Sequence, residues 1–258
     1  MSTASHDAHA EIQEIALDER ETNTPRPNSN SPSRNTCEQK RVRVSSPSGT
    51  SPSSHESAME TIEAFNQAIF LQLNATPATP HWLVAASLFI ARYVIWAVPI
   101  MLGCMWLSGG DNQRKTAVHA TFVAFVALGI NQLIGIVWYH PRPFAISLGY
   151  TFLAHAPDSS FPSDHATLLS AIAFTLLYDG KRLFGALIVA ANITVAWARV
   201  FVGVHFPFDM AGAALIAWST CLLSAPLWRV AGEPFSRALI AAYRKVVAWP
   251  INRGWLRP

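Results

Sequence analysis

The sequence predicts an all-α integral membrane protein, an antiparallel bundle of about five transmembrane helices with amphipathic helices at its interfaces. Three observations lead there. Apolar residues make up 51% of the 258-residue chain and charged residues only 14%. The mean hydropathy is +0.24 although residues 1–58 are polar, so the remainder is more apolar than that average. Apolar runs also recur at lengths matched to a hydrocarbon core of about 30 Å at about 1.5 Å per residue.

Taken in order, the elements divide the chain at 1–58, 59–230 and 231–258. Residues 20–55 are rich in Ser, Pro, Asn and Thr and nearly free of large apolar side chains, so burial cannot offset the cost of ordering them. A disordered polar tail is expected over 1–58, with one basic patch, "KRVRV". From Met59 to Leu73, Ile62, Phe65, Ile69 and Leu73 recur at helical spacing while Glu63, Gln67 and Asn74 share another face, the pattern of an interfacial helix. Trp82–Leu107 and Ala117–Tyr139 are long enough to span. Ala166–Tyr178 and Leu183–Ala198 are shorter, and Met210–Trp228 again spans. The segment 231–258 alternates basic and apolar faces and ends near tryptophans, as a surface-bound amphipathic helix does.

Arg114, Lys115, Lys181, Arg182, Arg229, Arg237, Arg244, Lys245, Arg253 and Arg257 all fall on one side if the chain crosses five times, and the positive-inside rule makes that side cytoplasmic. The loops 140–165 and 199–209 then face outward, and so does the N-terminal tail with Cys37. The first twenty residues lack the pattern of a secretory signal, so targeting is expected from an internal apolar helix. A net charge of +3 with no basic run interleaved with aromatics argues against nucleic acid as a partner. Cys37, Cys104 and Cys221 have no CxxC spacing and form no disulfide or zinc framework. The sequence carries no signature of oligomeric state.

The chemistry is concentrated in the two outward loops. The first begins "YHPRPF" and ends "SFPSDHA"; the second is "ARVFVGVHFPFDM". Arg142 and Arg199, from separate loops, form a plausible phosphate clamp, because a guanidinium presents a planar fork of donors to phosphate oxygens. Of two histidines, His165 and His205, one can attack phosphorus and the other can protonate the departing oxygen. Asp209, four residues after His205, is placed to hold one ring nitrogen as N–H and free the other. Phosphoryl transfer needs positioning and neutralisation of the equatorial oxygens, which the arginines and the Ser163 hydroxyl supply with no metal or other cofactor.

These three motifs resemble those of the type 2 phosphatidic acid phosphatase superfamily, with the consensus KxxxxxxRP, PSGH and SRxxxxxHxxxD. The chain has "GIVWYHPRP", "PSDH" and "ARVFVGVHFPFD", and the resemblance covers roughly residues 60–230. It implies an antiparallel helical core, a phosphohistidine on His205 supported by Asp209, His165 as acid and then base, and Arg142, Ser163 and Arg199 on the phosphate. Gly135, Asp164 and Ala198 depart from the consensus lysine, glycine and serine. The phrase "AHAPDSSFPSDH" resembles the bacterial undecaprenyl pyrophosphate phosphatases linked with bacitracin resistance, a branch that tolerates those changes. That resemblance implies an isoprenoid lipid diphosphate as substrate, membrane lipids as surroundings, and a site at the outer face of the bacterial cytoplasmic membrane.

Other readings were weighed. His205, Asp209 and Arg199 could form a structural polar cluster, and His165 could merely cap a helix. A zinc site from His140, His155, His165 and His205 lacks HxxxH or HExxH spacing. His140 and His155 read as loop-surface or supporting residues. Phosphatidate or phosphatidylglycerophosphate phosphatase activity, or non-catalytic headgroup binding or transport, would use the same arginines. Arg92 and Asn131 lie at similar depth in the first two spans, so Arg92, with Asn131 or Gln132, is expected to floor the pocket and supply the cation missing at Gly135.

Overall fold

The computed structural model describes residues 54–253, whose regular structure is entirely helical. The expectations for the tail before residue 54, with its basic patch and Cys37, and for residues 254–258 lie outside the described residues. The first helix, α1 (Ser54–Leu73), begins before the expected boundary at Met59. Its amphipathicity is inverted relative to a soluble helix. Met59, Ile62 and Phe65 are exposed, whereas Asn66 is buried and accepts the Phe208 N–H at 3.1 Å. An apolar outer face suits contact with lipid. Just past the helix end, the Asn74 side-chain amide donates to the carbonyls of Tyr150 and Phe201 and accepts the Tyr150 N–H at 2.7 Å. This one residue ties the chain's entry into the bundle to the loop around Tyr150 and to the turn that begins at Phe201.

Helix α2 (His81–Tyr93) runs through a 3₁₀ turn (Val94–Trp96) into α3 (Ala97–Leu107). Pro99 has no N–H to give to the carbonyl four residues back, which accounts for the tightened turn before it. Then come α4 (Asp111–Val137), α5 (Asp164–Tyr178), α6 (Arg182–Phe201) and α7 (Pro207–Leu227). A π turn (Trp228–Gly232) follows Pro226 and leads into α8 (Glu233–Val246) and the short α9 (Ala248–Asn252). Among the described residues, His81–Leu107, Asp111–Val137, Arg182–Phe201 and Pro207–Val246 are long and apolar enough to cross a membrane. The chain is a multi-pass membrane protein.

The expected crossing over Ala166–Tyr178 is α5, which at 15 residues is shorter than those four and sits at the centre, packed by α4, α6 and α7. Small residues make the close approach possible. Ala213, Ala217, Cys221 and Ala225 form a buried stripe at four-residue spacing on α7, and Ala120, Ala124 and Ala127 form another on α4 at spacings of four and three. With no gain from hiding apolar surface from lipid, such backbone proximity supplies the dispersion that holds helices together. Large side chains such as Phe125, Ile136 and Leu223 point outward.

The two ends of the bundle differ in chemistry. At one end lie Asp164, the loop from 138 to 163 and the turn from 202 to 206. At the other, α8 folds against the start of α4: Lys115 pairs with Glu233 at 2.6 Å and Arg244 with Asp111 at 2.8 Å. Arg114, expected as a loop cation, is buried there, its guanidinium 4.7 Å over the Tyr243 ring and its Nε donating to the Trp106 carbonyl.

Candidate active site

The geometry around His205 begins with a turn. Helix α6 ends at Phe201, and Gly203 follows with φ +85°, a left-handed conformation that glycine adopts without a steric penalty. A Cβ at Gly203 would also collide with the Tyr150 carbonyl oxygen, so the backbone of the long loop can approach only a glycine. This turn places Arg199 and His205 on one side. Helix α7 then starts with Pro207 at its first position, where a missing N–H costs nothing. The Asp209 carboxylate reaches back to accept the Phe206 N–H at 2.8 Å, capping the helix.

The same oxygen, Asp209 Oδ2, orients the imidazole. His205 Nδ1 lies 3.1 Å from it and 3.1 Å from the Ser160 carbonyl, and Ser160 Oγ donates to it as well. Two acceptors at Nδ1 assign the hydrogen to that nitrogen and leave a lone pair on Nε2. Nε2 faces two guanidiniums, with Arg142 Nη1 at 3.1 Å and Arg199 Nη2 at 3.4 Å. Burial first, and then the charges of Arg199 and Arg142, hold the His205 pKa well below the ordinary 6.5, so the ring is neutral in the resting site.

Each arginine is itself braced. Arg142 donates from Nη1 to the Val204 carbonyl at 2.9 Å, from Nη2 to the Ser159 carbonyl at 3.3 Å, and from Nε to Asp158 Oδ1 at 2.8 Å. Arg199 donates to the Ala91 carbonyl at 3.4 Å and to His155 Nε2 at 3.3 Å. Its Nε and the Ser163 hydroxyl are buried donors with no protein acceptor. Ser163 occupies the N-cap position of α5 without making a side-chain cap bond, beside the N–H groups of a helix start that favour an anion. His165, just inside α5, has its pKa pushed down to about 3 by burial first and then by the nearby positive charges of Arg199 and Arg142. The structure therefore brings Arg142, Arg199, His165, His205, Asp209 and Ser163 to one end of the bundle.

The expected pocket floor is a correction. Arg92 is exposed, one residue past the buried Ala91, and the 100° step of the helix turns its side chain away from the interior. Helix α2 packs on α6, whereas Asn131 and Gln132, on α4, border a hollow shared with Asp158, Ser159 and Asp164, so it is the Arg92 half of the expectation that fails. Asn131 Nδ2 donates to Asp164 Oδ1 at 3.0 Å and to Thr167 Oγ1 at 2.8 Å, and Gln132 Nε2 donates to Asp164 Oδ2 at 3.2 Å. Asp164 thus staples the start of α5 to α4. Gly135 opens on a hollow of about 200 Å³ bordered by Asp158, Ser159 and Asp164.

Sequence reasoning missed three participants. Ser160 and Asp158 sit in an irregular loop, where periodicity says nothing about facing. His155, read as a surface or supporting residue, has its ring centroid 6.3 Å from that of His205. His140 stays outside, 3.4 Å from Glu63 and edge-on to Phe206. Among the described residues no three His, Cys, Asp or Glu side chains group so as to hold a metal ion.

Comparison with known proteins bears on this arrangement. The family model described as the PAP2 superfamily matches residues 116–232. "Putative undecaprenyl-diphosphatase YbjG" of Escherichia coli (strain K12) is 35% identical over 76% of this chain and 99% of its own length. This chain belongs to the PAP2 superfamily. Undecaprenyl-diphosphatase BcrC of Bacillus subtilis (strain 168) is 33% identical, over 59% of this chain and 78% of BcrC. Two solved structures resemble this fold. The crystal structure of Aquifex aeolicus LpxE superposes with a TM-score of 0.51 at 22% identity, covering 62% of this chain and 94% of that one. The transmembrane PAP2 type phosphatidylglycerolphosphate phosphatase of Bacillus subtilis gives a TM-score of 0.50 at 17% identity, covering 69% and 89%. The motif-bearing helices α4 to α7 are the part that the PAP2 model spans.

Proposed function

We propose that this PAP2 protein is a membrane phosphatase that removes the terminal phosphate of undecaprenyl diphosphate, with its site at the outer face of a bacterial cytoplasmic membrane. The observation that carries the reading is His205: Nδ1 is held as N–H by Asp209 while Nε2 lies between two guanidiniums. A neutral, oriented lone pair in a cationic hollow is built to attack an anionic phosphorus. The similarity to proteins named undecaprenyl-diphosphatases supports the choice of substrate. The cations at the opposite end of the bundle support the orientation.

The terminal phosphate sits against Arg142, Arg199 and the Ser163 hydroxyl, which take up the charge of its three equatorial oxygens. His205 Nε2 attacks in line; the N–P bond forms as the bridging P–O bond breaks, and His165 gives its proton to the departing undecaprenyl phosphate. His165 then takes a proton from water, whose oxygen attacks the phosphohistidine and releases inorganic phosphate and neutral His205. An empty cationic site keeps His165 deprotonated, so its proton must be acquired with the substrate, whose negative charge reverses the field.

The test is phosphate release by purified protein in detergent, comparing undecaprenyl diphosphate with phosphatidate. Release from the diphosphate at a kcat/KM at least tenfold higher is expected. Binding without release from either lipid would make the protein a headgroup binder, and a preference for phosphatidate would overturn the substrate assignment.

A further inference from the structure

We propose that His155, oriented by Asp158 and the Ala156 carbonyl, is the binding residue for the second phosphate of the substrate and makes the site selective for diphosphates over monophosphates; this rests on the lipid-diphosphatase reading above.

Arg199 Nη2 lies 3.4 Å from His205 Nε2 and 3.3 Å from His155 Nε2, so one guanidinium corner bridges the two imidazoles. A phosphate seated on the His205 side of that corner therefore has His155 as its neighbour on the other. The direction also fits. The His205 side chain is 2% exposed and that of His155 is 24%, so the line from one to the other runs from the buried interior towards the surface. In-line displacement places the leaving group opposite the nucleophile, and the leaving group here is the second phosphate with its lipid. It has to lie on the mouth side of the terminal phosphate.

The ring is already turned for this role. His155 Nδ1 is 3.1 Å from the Ala156 carbonyl, an acceptor that holds a hydrogen on Nδ1, and the Asp158 carboxylate lies 3.6 Å from the same nitrogen. Nε2 is left to face Arg199, whose N–H it accepts in the resting site. When phosphate oxygens take over that N–H, His155 Nε2 loses its donor and faces anionic oxygen instead. Protonation then converts it from acceptor to donor, and Asp158 offsets the added charge. A diphosphate carries more negative charge than a monophosphate, so the extra cation favours it selectively.

The test uses non-hydrolysable headgroup analogues and the full chain in detergent, measuring dissociation constants for methylenebisphosphonate and methylphosphonate. The wild type is expected to favour the bisphosphonate by about tenfold or more, the worth of one charge-assisted hydrogen bond. His155→Gln should remove about tenfold of that preference while moving methylphosphonate affinity by less than about threefold. His155→Lys, which restores a cation, should recover much of it, a rescue that a purely structural histidine would not show. Equal weakening for both analogues, no change for either, or a wild type without preference overturns the proposal. If the bisphosphonate preference depends on His155 but no phosphate is released from undecaprenyl diphosphate, the assigned activity fails and the second-phosphate site stands.

Discussion

Among the described residues two buried histidines are each held by an aspartate, one at each end of the bundle. At the site end, His205 meets Asp209 at 3.1 Å. At the opposite end, His119 near the start of α4 meets both oxygens of Asp179, just past α5, at 3.1 Å. The surroundings differ. His119 is stacked on Trp228, with centroids 4.5 Å apart and planes 7° apart, and its Nε2 has no hydrogen-bond partner. His205 turns its Nε2 to Arg142 and Arg199. A carboxylate can orient an imidazole anywhere in a fold, but a nucleophile also needs an open nitrogen and fixed positive charge where the phosphorus will sit. His119 keeps its unpartnered Nε2 buried and its ring stacked on Trp228, and serves as a packed joint between α4, α5 and the π turn.

The largest expected effect tests that distinction directly. His205→Ala should lower turnover by on the order of 10⁴-fold or more, while His119→Gln leaves it within about threefold. Phosphate release from undecaprenyl diphosphate measures both, and comparable losses would erase the difference between the pairs. Next, Asp209→Asn should cost about 10²–10⁴-fold in kcat, since an amide no longer enforces the Nδ1–H tautomer. Asp179→Asn should instead lower the thermal midpoint by several degrees with kcat nearly unchanged.

A smaller effect follows from charge. The unfolded chain protonates His205 near the ordinary 6.5, whereas the native site holds it neutral well below that value. The unfolded state therefore gains protons first as pH falls. Stability is lost below pH 6.5, with a limiting slope of about 1.4 kcal/mol per pH unit for each such histidine. Thermal midpoints measured from pH 7.5 to 5 should decline more steeply in wild type than in His205→Gln. Trp228→Ala should show the least effect on turnover, within about twofold, while costing about 3–5 kcal/mol of stability through its lost stack.

The motif residues and most of the helices were legible from the sequence, because apolar run lengths and three spaced motifs are one-dimensional signals. What escaped depends on rotation and on loop path. Arg92 reads as an inward charge within an apolar run, yet the neighbouring Ala91 takes the interior face and the long arginine side chain is free to extend along the surface. In α1 the face that packs inward carries the polar Asn66, buried against α7, while Ile62 and Phe65 are exposed. In a membrane setting the apolar face need not be the inner one, so hydrophobic periodicity identifies a helix without saying which side packs. Ser160, Asp158 and His155 reach the site through an irregular segment whose course is set by Asn74, Gly203 and the Arg142 contacts, all of them long-range.

Asp209 Oδ2 receives three hydrogens from two stretches of chain: the Ser160 hydroxyl from the long loop, and the His205 ring and Phe206 amide from the turn before α7. A glutamate there would keep the charge but lengthen the arm by one methylene. It could not reach all three without either uncapping α7 or pushing the imidazole into the guanidiniums. Neither side-chain length nor charge at this position is free to drift, because the start of α7 and the aim of the His205 ring are decided by one atom.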